Sequence, residues 1–493
     1  MSKARNEVKA AEAGPGDSPE IDREIAYCQI HPGVGIARMG NSPDEFFLGP
    51  RAPGETPAPE GGFKDRLGRI KRQGAEFRIY GYNQDGVAVK ELTADDADVT
   101  WTVHLANRKA EYDMFLGSYW QSQYPDFYKV NPDRTPPRNQ EVTGEDRKLL
   151  VIDPGPRSVG GRKAKGVQFD GGTIGPLPYT VIKPSTLDDS DPDNAQIIPG
   201  NAACLQGSRI GYMNVVYPDL YTPPATCHWT PGMVLPPVAM SPKKEVPLGE
   251  LRTDDQGRLI VLGGLGHSAS LIPDNPIGFL NLENLSTYAN NDYWYDDTSD
   301  GPVSASVVLK GGREVPVRDK AWVLVAPPKY APAARVLTTL YEVAMEAWEQ
   351  GQPPAPEKPV SFTRDIYPVL ARLQQYHWLN ATVYRGHGPV SGSAGNFLAN
   401  GQPQSTLYQK GEANRLDKRH IFERLRKPDL VPVSPDAADT EESLRYANSR
   451  YMPQMSGDGG EPFTPPDLQE PGQTVAGPIY PTWLTLTKRQ YRA

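Results

Sequence analysis

Cysteine is scarce in this 493-residue chain. Its three thiols, Cys28, Cys204 and Cys227, cannot build a disulfide framework, and so small a number fits a reducing compartment. Histidine is also sparse, at seven, and no HExxH, CxxC, P-loop or GxSxG pattern occurs. The short signatures of zinc peptidases, thiol redox centres, nucleotide hydrolases and α/β-hydrolases are therefore missing. No apolar run reaches the roughly 18 residues of a membrane helix, so no membrane span is expected. The first residues, MSKARNEVKAAEAGPGDSPE, carry no apolar h-region of a signal peptide. A cytoplasmic location is the default expectation, with non-classical export left open. Positive charge is in deficit: the net charge is −8, which repels phosphate backbones, and nucleic acid is not expected as a partner. No internal repeat is found.

Glycine (47) and proline (51) make up about a fifth of the chain, below the roughly 25–30% of low-complexity sequences. With 38% hydrophobic and 9% aromatic residues it can bury a core, joined by long fixed loops and short elements. The expected fold is α+β and β-dominated: an N-terminal β-sandwich, a larger β domain with long loops, and helices toward the C-terminus. Residues 1–20 read as a disordered lead and 21–145 as the sandwich. There Ile25–Ile30, Glu76–Tyr82, Val87–Leu92 and Trp101–Ala106 are expected strands. Asn83-Gln84-Asp85-Gly86 is a hairpin turn. Residues 146–330 read as the second β region, with a strand at Leu149–Asp153 and a proline-rich excursion over 173–245. Its later strands are Arg258–Leu262, Val303–Leu309 and Ala321–Ala326. Residues 331–493 read as helices and loops, with helices expected at Ala333–Gln350, Thr363–Leu379 and 418–427 and another beginning within Trp483–Ala493.

Gly264-Leu265-Gly266-His267-Ser268-Ala269 follows a strand and fits a loose dinucleotide fingerprint. No helix former follows it, so a tight turn with close backbone approach is the better reading. The densest polar cluster is Asn290 to Gly301. Its Asp296, Thr298, Asp300 and Gly301 mimic the start of a calcium loop, but the closing acid would fall at Val307, so that reading fails. These acids either receive a substrate amine or form an Asx-rich turn. Cys227-His228 lacks ligand partners at metal spacing, and no metal is expected. His377 and His387 read as structural histidines.

Several stretches in order resemble the LodA-like family of cysteine tryptophylquinone oxidases, the group of L-lysine ε-oxidase and glycine oxidase. They are Trp101–Asn107 with Arg-Lys-Ala after it, Ile152–Arg157 with Phe169–Gly172, Leu248–Asp254, and Asn290–Val303. Ala321–Pro328, Phe362–Pro368, Met452-Pro453 with Gly457-Asp458, and Trp483–Thr487 complete the set. The resemblance implies oxidation of a primary amine of an amino acid, with hydrogen peroxide and ammonia as products. It implies a small amino-acid or amine substrate and a flavoprotein maturation partner or companion chain; a homo-oligomer is also expected. Candidate substrate-facing residues are Asp292, Trp294, Asp296 and Asp297, with Met452 and Asp458 chosen for their nearness in sequence to the family's quinone segment. In the family a Cys and a Trp beyond the Trp-Leu-Thr-Leu-Thr stretch form the quinone, and none of Cys28, Cys204 or Cys227 lies in a matching motif. No cofactor is therefore expected within residues 1–493, and the chain is expected to be inactive alone. The alternatives are a non-catalytic paralogue that binds or scaffolds, and altered chemistry in the same pocket.

Overall fold

The computed structural model describes residues 24–112, 137–139, 142–180, 238–271, 293–329, 332, 335–336, 338–352, 359–375, 415–423, 425, 486 and 488–492. It divides into two units. One comprises Met1–Gly49, Ala58–Met114 and Pro136–Lys329; the other comprises Pro50–Pro57, Phe115–Thr135 and Tyr330–Ala493.

The first unit is made of strands, as its alternation of β-branched and aromatic residues with polar ones requires. They are β1 (Tyr27–His31), β2 (Val34–Arg38), β3 (Phe46–Leu48), β4 (Arg72–Tyr82), β5 (Ala88–Leu92), β6 (Ala97–Val103), β7 (Arg157–Gly160) and β8 (Val167–Gln168). There follow β9 (Thr173–Ile174), β10 (Pro178–Thr180), β11 (Val238–Met240), β12 (Lys244–Glu245), β13 (Gly249–Thr253) and β14 (Leu259–Gly263). The last are β15 (Ser268–Ser270), β16 (Trp294–Asp296), β17 (Ser299–Leu309), β18 (Glu314–Val315) and β19 (Ala321–Ala326).

Thirteen of these share one sheet, in the order β7-β6-β17-β19-β2-β4-β14-β13-β8, with β1, β3 and β5 also on β4 and β18 on β17. Strands from either side of residue 145 alternate across it. The expected sandwich and second β region thus contribute to the same sheet, because hydrophobic periodicity gives a strand's faces but not its neighbours. Arg157 ties the two ends together: its Nε donates to Gln168 O (3.1 Å) and its Nη2 to Asp170 O (2.9 Å). Every residue of β14 is buried, as in a strand covered on both faces. Trp101 is fully buried in the same core, where its indole N–H finds Gly257 O at 3.0 Å.

Local chemistry explains the hairpins. Asn83 Oδ1 accepts the N–H groups of Asp85 (3.0 Å) and Val87 (2.9 Å), and Gly86 takes the positive φ of 78° that closes the expected turn. The proline-rich excursion leaves and returns through a paired stem, β9 with β12 and β10 with β11. The expected strand at Leu149–Asp153 is different: Gly144–Leu150 is a 3-10 helix, and only Ile152 bridges to Asn107. Arg147 Nη1 holds the curled backbone by donating to the carbonyls of Asn139 (3.1 Å) and Val142 (2.9 Å). Those interactions override the Leu-Leu-Val-Ile pattern.

Asp65 organises the loop before β4. Burial pushes its carboxyl up, but donors from the Arg69 backbone and side chain, Ser42 and the Leu67 N–H outweigh this and hold it down to about 2. A free aspartate titrates near 3.9, so this stabilisation is complete above about pH 4 and is lost as pH falls through about 2. Asp65→Asn should show a shallower stability loss between those limits, read from acid unfolding followed by circular dichroism.

In the second unit, α1 (Leu340–Gln350) starts later than the expected Ala333. Thr339 accepts from Glu342 N (3.2 Å) and Glu342 accepts from Thr339 N (2.6 Å), a reciprocal cap that fixes the first turn. Leu340 and Val343 on α1 are half exposed. A π-helical turn, Phe362–Ile366, leads into α2 (Tyr367–Gln375), and Pro368 sits in its first turn, where a missing N–H is tolerated. Arg372 pairs with Glu342 at 3.0 Å, linking α2 to α1. Among the described residues two more helices follow, α3 (Arg415–Glu423) and α4 (Lys488–Arg492). Phe422 stacks on Tyr491 at 5.1 Å.

Candidate functional site

The fold brings Trp294, Asp296 and Asp297 together on β16 and the turn after it; Asp292, Met452 and Asp458 lie outside the described residues. β16 pairs with β15, so Asp296 faces Ser268 and Trp294 faces Ser270 across the ladder. A strand therefore follows the Gly264–Ala269 turn where a dinucleotide site needs a helix.

Tyr293 enters β16 with φ at +57°, a conformation that costs a bulky residue of order 1–3 kcal/mol. Asn139, itself at φ +49°, holds it there: Oδ1 accepts Tyr293 N–H at 2.6 Å, and Nδ2 donates to Ala110 O at 2.7 Å. Asp296 is buried and fully engaged. Asn107 Nδ2 reaches its carbonyl (2.7 Å) and Oδ1 (3.0 Å), Thr298 Oγ1 donates to Oδ1 (2.6 Å), and Lys109 Nζ meets Oδ2 at 2.5 Å. The same ammonium lies 4.6 Å from the centre of the Trp294 ring. Arg138 in turn donates to Lys109 O. The Asx-turn reading describes Asp296 well: its carboxylate is committed to the protein's own cation and turn. Asn107, Lys109 and Asn139 escaped the sequence reading as site residues. Asn107 and Lys109 stand in the Trp101–Ala110 stretch and could have been found by pairing its cation with the acid cluster; Asn139 carries no sequence signal.

Asp297 turns the other way, toward the Gly264–His267 turn. It is wholly buried, accepts Gly266 N–H at 2.8 Å, and its Oδ1 has no hydrogen-bond partner among the described residues. A Cβ on Gly264 would stand 2.3 Å from Asp297 Oδ2, which is the close approach expected of that turn. Burial pushes the Asp297 carboxyl up, against the pull of the His267 and Gly266 N–H groups. The folded state thus keeps this proton to higher pH than the unfolded chain does. The charged form costs stability at neutral pH, and the cost fades as pH falls. Asp297→Asn, isosteric with the protonated acid, should be at least as stable as the parent at pH 7, with the difference closing on acidification. Thermal unfolding across pH checks this.

Cys28 is the cysteine among the described residues. It is fully buried in β1, and burial, only partly offset by Arg313, pushes its thiol up to about 12, so it behaves as a small packed hydrophobe. Cys204 and Cys227 lie outside the described residues. Among the described residues no group of three or more His, Cys, Asp or Glu is placed to hold a metal. No described helix is long and apolar enough to cross a membrane.

A strand-dominated unit with this site order defines a class, and comparison with known proteins gives it a family. The model for the N-terminal part of L-lysine ε-oxidase matches residues 31–195 and 229–325, more than half of the chain. The chain belongs to this LodA-like family. The curated L-lysine 6-oxidase of Marinomonas mediterranea is 30% identical over 378 residues, covering 71% of this chain and 43% of that protein. A solved structure of the ε-lysine oxidase from Marinomonas mediterranea superposes with a TM-score of 0.50 at 26% identity, covering 81% of this chain and 50% of that one. A second, of the Schiff base intermediate of that enzyme with L-Lys, gives a TM-score of 0.48 at 26% identity and the same coverage. The chain thus spans about half the length of these relatives or less.

Proposed function

We propose that this chain forms the N-terminal scaffold of an oxidase acting on a primary amine of an amino acid. The overall change is oxidative deamination: an amine on a C–H carbon, O2 and water become a carbonyl, ammonia and hydrogen peroxide. The family match over residues 31–195 and 229–325 carries this reading. A protein-derived cysteine tryptophylquinone and a flavoprotein maturation partner belong to the same reading, and the acceptor chemistry would be the quinone's. The described residues contribute positioning. Asn139 and Lys109 fix the strained Tyr293–Asp297 segment, and the buried Asp297 braces the Gly264–His267 turn through Gly266 N–H. Within this reading Trp294 lines the amine-facing wall, and Asp296, committed to Lys109, holds that wall in place.

The test is a peroxide assay on the protein as isolated from its own cells, across L-lysine, glycine and other primary amines. Peroxide with at least one amino acid, and none with its hydroxy analogue, is the expected result. An amine that binds without peroxide release would support the binding or scaffolding reading instead.

A further inference from the structure

Outside that site, one face of the antiparallel β1–β4 strand pair carries a ladder of rings. His31 Nε2 lies 2.8 Å from Tyr82 Oη, and the two rings stack at 6.0 Å with 20° between planes. Tyr82 stacks on Tyr27 at 5.3 Å and 12°, the pair facing each other across the strands, and Tyr80 meets the edge of His31 at 5.2 Å. We propose that Tyr82 and His31 form a one-electron oxidation site, in which Tyr82 gives up an electron while its phenol proton moves along the hydrogen bond to His31 Nε2.

The geometry selects Tyr82 over its neighbours. Losing an electron makes a phenol strongly acidic, so the tyrosine that oxidises most easily is one with a base already at hydrogen-bond distance. Burial lowers the pKa of His31, which favours the neutral imidazole that can accept. Tyr27 is disfavoured because the Arg318 guanidinium lies 3.5 Å from its ring centre, and a fixed cation opposes a second positive charge. The Tyr80 hydroxyl donates to Glu91 at 3.5 Å, and that carboxylate is held by Arg78 and Arg258. The step balances with a one-electron oxidant such as hydroxyl radical. Tyr82–OH, His31 and hydroxyl radical become the Tyr82 phenoxyl, protonated His31 and hydroxide, which then combine their proton and base to water. A hole trapped on this strand pair spares the sheet core, a use that rests on the peroxide-producing reading above.

The experiment oxidises the full chain with photogenerated tris-bipyridine ruthenium(III) and reads freeze-quenched radicals by electron paramagnetic resonance. It needs neither amine nor peroxide, so its failure leaves the oxidase reading standing, and failure of that reading leaves this site standing. A tyrosyl signal is expected that is lost in Tyr82→Phe, kept in Tyr27→Phe and sharply reduced in His31→Phe. The same signal in Tyr82→Phe, or an undiminished one in His31→Phe, overturns the proposal. Should Tyr82→Phe fail to fold, peptide mapping of oxidised wild-type protein decides: oxygen added first at Tyr82 supports the site, and first at another of the 24 tyrosines overturns it.

Discussion

Glu250→Ala should destabilise the sheet by roughly 3–5 kcal/mol, the cost of stripping one partner from a buried ion pair. Glu250 on β13 is 5% exposed at its side chain and pairs at 2.9 Å with Arg72 on β4, itself 6% exposed. Arg252 adds a second contact to the same oxygen at 2.8 Å, and Gln168 of β8 donates to the other at 2.8 Å. Removing the carboxylate leaves the Arg72 charge buried with only the carbonyls of Pro43 (3.0 Å) and Gly263 (3.4 Å). Arg72→Ala should cost less, because Glu250 keeps Arg252 and Gln168. This ordering separates charge pairing from packing, since a pure packing role would make the longer arginine the more costly loss. Urea unfolding followed by far-ultraviolet circular dichroism measures both, and equal midpoints for the two variants would contradict the assignment.

Gly301→Ala should be similarly severe, about 2–5 kcal/mol from overpacking plus lost backbone hydrogen bonds. A Cβ there would sit 1.7 Å from the carbonyl oxygen of His104, a backbone atom that cannot swing aside. To relieve it, β17 must separate from the chain beyond β6. That strains the bonds His104 N to Pro302 O (3.2 Å) and Ala106 N to Asp300 O (3.0 Å). The same movement pulls Asn107 from Asp296, so the candidate site should loosen with the sheet. Faster amide exchange at Asn107 and Tyr293 than in the parent is the local readout; a variant as stable and as protected as the parent would contradict the packing described.

How far these features could be read in the sequence depends on how local their causes are. The β4–β5 hairpin was legible because Asn83 and Gly86 close it with their own atoms. β17 and β19 were legible from their apolar runs, and the failure of the dinucleotide reading followed from residues adjacent to the glycines. The interleaving of β2 between β19 and β4 was not legible, since it rests on pairings nearly 300 residues apart, such as Trp322 with Val34. The 3-10 turn at Gly144–Leu150 hid for a different reason: Arg147 donates to backbone carbonyls at Asn139 and Val142, and an apolar run does not register such a contact. At the site, the acid cluster announced itself, whereas Lys109 lies 187 residues from its partner Asp296 and Asn139 lies 154 from Tyr293. Charge complementarity across such distances becomes visible only once the sheet has placed the strands.

The central claim, membership of an amine-oxidising scaffold, is tested most directly by stoichiometry. Protein isolated from its own cells is supplied with a primary-amine amino acid while oxygen uptake, peroxide and ammonia are followed together. The account predicts one peroxide and one ammonia for each O2 consumed; an amino acid that binds tightly while oxygen stays constant would contradict it.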